Sequence, residues 1–515
     1  MDMSNLLASF ASAFTQDQRL LTLHLGDGAS DGAQLLPQSV TGDEALSQPY
    51  RYQLECLSPD VGLPLKSLLG LPVQLGILTA DGEEVVRCGV VTAAQALPAD
   101  GGFARYGLSI EPPLVLLAHR RSSRVFQDVS VVEIVQAVLD EHIAGNPVFG
   151  ATFALRFELA GRYPARSYCL QYRESDLDFV SRLLAEEGLA YRFEHAAGDT
   201  PTVTLVVFDD PYSLPQARQG RIRFHRADAT EAEDSLTDWT STRQLGPSQV
   251  ALASFDYQPV VTQQAAEASG IDQGAGGAQA ESSLGYYDPQ SLYYAADGEQ
   301  LGHYAQLRQQ AFDRRKKSFA GGGTVRGIQV GEWFQLADHP LHDGDAPEQR
   351  EFVASQLRFT AHNNLPGDLL KLLARGQDTP QPFTVQLAAQ RRGVPLHPDY
   401  ADSQYAKPTA RGIQTATVVG PAGEEIHTDQ YGRIKVQFHW QRSQEHPAFG
   451  ANLDDRSSCW IRVVQPSAGA AWGHQFIPRV GQEVIVAYLE NDIDRPVVTG
   501  VVYNGSHPPP AFSGA

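Results

Sequence analysis

A chain of 515 residues is too long for one ordinary hydrophobic core and is expected to hold three or four domains. With 42% hydrophobic and 19% charged residues it is a folding chain, not a disordered one. A net charge of -20 with no compensating basic stripe excludes general nucleic-acid binding, because a phosphate backbone would repel it.

Cys56, Cys88, Cys169 and Cys459 are scattered, with no C-x-x-C pair, and sit among strand-like or aromatic residues. Buried thiols in a reducing compartment are expected. The first 16 residues read as an N-terminal arm. No Lys or Arg precedes its apolar stretch, so it is not a signal peptide. No apolar run approaches the ~20 residues of a membrane span. Export, if it occurs, is expected by a route other than general secretion.

Residues 17–261 read as a β region with helical insertions. Alternating runs such as Leu20-Leu21-Thr22-Leu23, Tyr50-Arg51-Tyr52-Gln53-Leu54 and Val73-Gln74-Leu75 are separated by turn formers such as Gly26-Asp27-Gly28 and Asp81-Gly82. Two helices interrupt them. In the first, Val131, Ile134, Val135 and Val138 share a face, and Ser130 with Glu133 forms a capping box. In the second, Ser175 caps the start and Gly188 closes the end. Residues 262–300 are rich in Gly, Ala, Ser and Gln, which predicts a flexible insertion. A polar helix follows from Gly298 to about Lys317, and strands resume over Gly331–Leu336 and Glu351–Phe359, within a 301–408 region.

The last hundred residues show the sharpest β pattern. Ile434, Val436, Phe438 and Trp440 fall on one face of an alternating run, and Lys435, Gln437 and His439 on the other. Trp460–Val464, Glu483–Leu489 and Pro496–Tyr503 follow with no helix signal between them, which predicts a small closed barrel of the OB type over 409–505.

Here the residues resemble a known family. Glu425–Trp440, Cys459-Trp460-Ile461-Arg462-Val463, Ala471-Trp472-Gly473, Phe476-Ile477-Pro478-Arg479-Val480-Gly481-Gln482-Glu483-Val484, Asp492-Ile493-Asp494-Arg495-Pro496 and Gly500-Val501-Val502-Tyr503-Asn504 look like the OB-domain signature of VgrG proteins. Further forward, Arg124-Val125-Phe126-Gln127, Gln171-Tyr172-Arg173-Glu174-Ser175-Asp176, Glu187-Gly188-Leu189-Ala190-Tyr191 and Phe334–Pro340 look like its tail-hub region. The resemblance spans roughly residues 15–505.

It implies a mainly β fold: two related hub β-barrels with helical insertions, the second over 301–408, followed by the OB-type barrel. It also implies a homotrimer whose six barrels seat on the hexameric Hcp tube, with effectors or adaptor and chaperone proteins as partners. Such a protein is assembled in the cytoplasm and secreted through the type VI machine, puncturing the target membrane mechanically. After Asn504-Gly505 only a tail, 506–515, remains, with no C-terminal β-helix. The chain is therefore expected to be either a cut piece or a short member, and a PAAR-type tip is expected only with a longer C-terminus. A prophage or other contractile-tail hub is an alternative reading, and a spike with a cryptic cell-wall hydrolase is another.

No nucleophile elbow, H-E-x-x-H pair, P-loop or dinucleotide fingerprint is present, so no catalytic residue, cofactor or metal is assigned. Asp338-His339-Pro340-Leu341-His342-Asp343 reads as a solvated loop rather than a metal site. Arg314-Arg315-Lys316-Lys317 reads as a solvated helix end. His439 and His474, beside aromatics, read as packed structural histidines. Five residues are assigned structural or interface roles: Phe438, Trp440, Trp460, Arg479 and Tyr503. Phe438, Trp440 and Trp460 either fill the small barrel, the favoured reading, or lend part of their surface to a threefold interface.

Overall fold

A computed structural model describes residues 19–26, 35–98, 103–225, 233–365, 381–400, 403–442 and 451–510. The arm expected over 1–16 and the end of the tail lie outside these residues.

Six short alternating strands open the chain: β1 (Leu21–Leu25), β2 (Leu36–Ala45), β3 (Gln48–Ser58), β4 (Pro72–Leu78), β5 (Glu84–Leu97) and β6 (Ala104–Glu111). They pair antiparallel in the order β1-β4-β5-β6-β3-β2. The sheet curls until its two ends meet, and a buried side chain closes the seam. Asn363 accepts the Leu21 N–H at 3.1 Å and donates to the carbonyls of Leu21 at 2.9 Å and Pro37 at 2.8 Å. Backbone groups that a full ladder would pair are satisfied here by one amide.

A helical insertion follows: β7 (Arg121–Phe126), α1 (Val131–Gly145), α2 (Pro147–Thr152), β8 (Phe153–Glu158), β9 (Cys169–Ser175), α3 (Asp176–Glu186), β10 (Ala190–Ala196) and β11 (Thr202–Phe208). The predicted capping box opens α1: Ser130 accepts the Glu133 N–H at 3.3 Å, and the Glu133 carboxylate accepts the Ser130 N–H at 2.7 Å. Gly188, at φ 71, ends α3 in the left-handed region.

The second barrel takes its strands from two separate stretches. They are β12 (Gln216–Arg223) and β13 (Leu236–Arg243), then, after an inserted unit of β14 (Gln249–Asp256), β15 (Val261–Ala268), α4 (Gly274–Glu281), β16 (Gly285–Pro289) and α5 (Gly298–Lys316), the strands β17 (Lys317–Gly323), β18 (Trp333–Ala337), β19 (Glu351–His362) and β20 (Phe383–Arg391). Their order is β13-β17-β20-β19-β18-β12, and a bridge from Phe224 to Leu236 brings β12 back to β13. A boundary between barrels at 261–301 is therefore corrected: β12 and β13 lie before it yet belong to the second barrel. Short strands carry no sequence signal for a partner that lies beyond an insertion.

Strand β19 belongs to both barrels. One edge of its first half pairs with β18, and the same edge of its second half pairs with β2 over Gln356↔Ala45 to His362↔Ser39, a bulge at Ser355 separating the two. All twelve strands thus form one hydrogen-bonded sheet.

Residues 262–300 are not the flexible insertion that composition predicts. Strands β15-β14-β16 form a sheet packed by α5, with Val250, Leu252, Leu301 and Tyr304 in its own small core. The basic run at the end of α5 is not solvated throughout either. Lys316, 1% exposed, pairs with Glu281 at 2.9 Å and donates to Ser269 at 2.9 Å. One buried cation supplies the tie that a Gly/Ala-rich sequence lacks in apolar surface.

The C-terminal barrel comprises β21 (Gln414–Val419), β22 (Lys435–Phe438), β23 (Arg462–Val463), the hairpin β24 (Ala468–Gly469) and β25 (Trp472–Gly473), β26 (Glu483–Tyr488) and β27 (Pro496–Val502). Its sheet runs β22-β21-β26-β27-β23, and an Ile434–Ile461 bridge closes it.

Two tests follow from the barrel contacts. Asn363→Ala leaves three buried backbone groups without partners and is expected to cost about 2–4 kcal/mol in denaturant unfolding. Glu332 sits in the loop that Arg87 pins across the barrels, donating to the Ile328 carbonyl at 2.8 Å while held by Glu44 at 2.7 Å. Burial pushes the Glu332 carboxyl up to about 7. An acid raised in the folded state stabilises below its unfolded pKa of ~4.3, and that contribution is lost as pH rises through 7. Glu332→Gln is expected to leave Tm unchanged near pH 4 and to add about 1–3 kcal/mol at pH 8.

Candidate functional site: the C-terminal barrel and its junction

At its 125–126 and 169–170 end the ribbon β7–β9 is buried on both faces. Phe126 and Cys169 point into the hub core, while Val125 and Leu170, one residue away on each strand, enter the core of the C-terminal barrel with Ile434, Val436, Phe438, Val484 and Val486. Strand alternation thus builds two cores from one ribbon. At its edge Tyr172 meets Trp440 at 6.3 Å, and Gln414 links them, donating to the Tyr172 hydroxyl at 2.8 Å and accepting the Trp440 indole N–H at 2.9 Å.

An ionic latch completes the junction. Lys407 Nζ lies 2.6 Å from Asp492 and 2.5 Å from Asp494. Asp494 accepts the Leu170 N–H of the ribbon at 2.7 Å. Arg495 donates to the carbonyls of Leu292 at 2.5 Å and Tyr293 at 3.0 Å in the inserted unit, and Ser291 donates to Asp492. Burial alone would push the Asp492 carboxyl up, but Lys407 and Arg495 hold it well below the usual carboxylate range. Burial likewise works against the Lys407 ammonium, and Asp492 and Asp494 hold it above its ordinary value. Nearby, Glu186 is held down to about 2 against its own burial, first by Arg166 and then by Lys407.

The five residues singled out in the sequence divide into three places. Phe438 is fully buried and stacks on Trp440 at 5.1 Å and Tyr488 at 6.4 Å. Trp460 does not share that face: it packs on His427 at 4.9 Å, with Lys435 Nζ 5.1 Å from its ring. Arg479 is exposed and pairs with Glu425. Tyr503 is 67% exposed. Arg479 and Tyr503 line one surface groove of about 780 Å³ together with Ile426, Phe476, Pro478 and Val501. Beside it the β24–β25 hairpin presents Trp472 at 66% exposure. His439 and His474 are exposed rather than packed inside, His474 lying flat against the exposed ring of Phe476 at 6.2 Å.

In the 338–345 loop, Asp338 pairs with Arg223 at 2.7 Å, His342 with Asp345 at 2.9 Å, and His339 is buried against Phe224. All four cysteines are free thiols, and burial pushes those of Cys88, Cys169 and Cys459 up to about 12. Sequence reasoning missed the latch. Asp492, Asp494 and Arg495 were visible only as part of the block that resembles the family's OB-domain signature, and Lys407 lies far upstream with nothing local to mark it.

The geometry has close counterparts. Residues 43–365 match the model of the phage tail baseplate hub (GPD), and residues 416–503 match that of the type VI secretion system/phage-baseplate injector OB domain. Two Pseudomonas aeruginosa proteins, the type VI secretion system spike proteins VgrG1b and VgrG1a, are each 33% identical to the chain, over 93% and 92% of it and over 60% and 68% of their own lengths. The chain belongs to the VgrG family of type VI secretion spike proteins. It spans about 56–64% of the length of the first three spike relatives. The fold matches the E. coli c3393 protein, a type VI secretion component with structural similarity to the T4 tail proteins gp27 and gp5, at a TM-score of 0.60 and 20% identity over 93% of this chain and 100% of that one. It also matches a chain of a Francisella PdpA–VgrG complex, at a TM-score of 0.57 and 11% identity over 97% of this chain and 81% of that one.

Within this family fold the latch sets where the OB domain points. Lys407→Met, which removes the cation shared by Asp492 and Asp494, is expected to lower stability by about 3–5 kcal/mol. Because Asp492 is depressed in the folded state, its contribution is present above ~pH 4 and lost as pH falls below that. Limited proteolysis at neutral pH is expected to release the OB domain from the Lys407→Met variant and from wild type only in acid.

Proposed function

We propose that this chain is the hub-and-spike tip of a type VI secretion machine, a homotrimer that caps the hexameric Hcp tube and carries effectors outward by contractile puncture. The observation that carries the reading is the hub itself: two six-stranded barrels joined edge to edge in every chain. Three such chains present six similar barrels, so a threefold assembly can seat on a sixfold tube. Its role is mechanical, not enzymatic. Thrust passes from the tube through barrel hydrogen bonds to the ribbon β7–β9 and the ionic latch, and so to the OB domain. The Francisella complex, in which a VgrG is bound to PdpA, supports a partner or cargo on such a protein. Assembly takes place in the cytoplasm, and a PAAR-type tip requires chain beyond the OB domain.

The match of residues 43–365 to a phage tail baseplate hub favours a second reading, the hub of a prophage or other contractile tail. Native mass by light scattering, alone and with purified Hcp, separates the two. The proposal expects three chains that persist on dilution and a complex of three chains with one Hcp hexamer. A trimer that ignores Hcp supports the tail-hub reading, and a monomer in both conditions overturns the trimeric tip.

A further inference from the structure

The OB domain carries a knob and a hole that none of the described residues fills. The knob is the arm of residues 464–478, fixed at its base by a reciprocal pair: Phe476 N–H donates to Gln465 Oε1 at 2.9 Å and Gln465 Nε2 donates to the Phe476 carbonyl at 3.1 Å. Its β24–β25 hairpin holds Trp472 out at 66% exposure, and Phe476 at its base is 67% exposed. The Trp472 ring lies over Gly469, where an added Cβ would come within 2.3 Å, so the hairpin and its tryptophan hold one shape. The hole is the groove of Ile426, Phe476, Pro478, Arg479, Val501 and Tyr503. An exposed, preorganised tryptophan beside an apolar concavity is the composition of an interface anchor and its pocket.

Charge identifies the occupant. In a chain of net charge -20, residues 464–478 contain no Asp, Glu, Lys or Arg. Among the described residues no carboxylate lines the groove, and the one full charge there, Arg479, is paired with Glu425. Two copies that repel one another elsewhere can therefore approach along this arm and groove without opposing charge. The hairpin tip at Trp472 and the groove are adjacent but separate surfaces, the arm's own Phe476 and Pro478 forming part of the groove wall. A tip-in-groove contact between copies therefore pairs two different surfaces, the kind that can close a ring. We infer that the Trp472 arm of one chain seats in the Ile426–Val501–Tyr503 groove of the next and closes the OB ring. The inference rests on the trimer reading and adds to it the residues that make the contact.

The test places a photo-crosslinking phenylalanine analogue at position 472 in the full chain, with crosslinked peptides mapped by mass spectrometry, and measures trimer dissociation of Trp472→Ala by light scattering on dilution. Trp472 is exposed, so a native far-UV spectrum and unchanged Tm are expected for the variant. The inference expects intermolecular crosslinks to peptides spanning 425–427 or 501–508, and a trimer midpoint raised at least tenfold by Trp472→Ala. A wild-type trimer whose crosslinks map elsewhere, or whose midpoint is unmoved in Trp472→Ala, overturns the arm-in-groove contact and leaves the trimer standing. A wild-type monomer with no crosslink at any concentration overturns both.

Discussion

Everything forward of the OB domain depends on one strand pairing, that of β2 with β19. Seven residue pairs join the two barrels, from Gln356↔Ala45 to His362↔Ser39. Gly42 sits opposite Phe359, and a Cβ there would come within 2.2 Å of the ring, so the pairing requires glycine for reasons of space. The Phe359 ring then stacks on Phe383 at 5.8 Å and leans on Tyr52 at 5.9 Å, tying the second barrel to the interior of the first. Arg358 meets Asp43 at 2.6 Å on the outer face. Because β19 also supplies the β18 edge of its own barrel, neither barrel can move without disturbing the other.

Polar groups set orientation where apolar packing alone would not. Asp176, fully buried at the start of α3, faces Arg124 at 3.2 Å, His142 at 2.8 Å and Gln171 at 2.8 Å, and also pairs with Arg120. Burial opposes its charge, but these partners, His142 foremost, hold its carboxyl down to about 2. Arg182 pairs with Glu174 at 2.8 Å and donates to the Leu170 carbonyl at 2.8 Å, while Leu170 N–H donates to Asp494. A chain of directed bonds therefore runs from the helical insertion through the ribbon into the OB domain. Buried ion pairs add little net stability over apolar substitutes, but a wrong arrangement strands a charge, and this penalises other domain orientations.

Local features of the fold were legible in the sequence because they depend on neighbours. The capping box at Ser130 and Glu133, the cap at Ser175 and the alternation of Ile434, Val436 and Phe438 all appear where spacing places them. The β character of the chain and its closing OB barrel were readable for the same reason. Long-range features were not. Nothing near Gln216 or Leu236 says that these strands pair beyond an insertion, and nothing in a Gly/Ala-rich stretch says that Lys316 will bury its charge on Glu281. At the candidate site, Arg479 and Tyr503 were singled out through their motif and do share a groove, whereas Trp460 was grouped with Phe438 and Trp440 because strand parity cannot tell which side of a closed barrel a neighbouring strand presents.

Native-state hydrogen exchange tests the central claim, that the two barrels form one mechanical unit. If the β2–β19 seam welds them, the amides of β2 and β19 exchange only through global unfolding of the hub, with the same opening free energy as those of β3 and β20. If the β2 and β19 amides instead exchange through a smaller opening while those of β3–β6, β17 and β20 stay protected, the barrels are separate units in contact, and the account of a single welded hub is wrong.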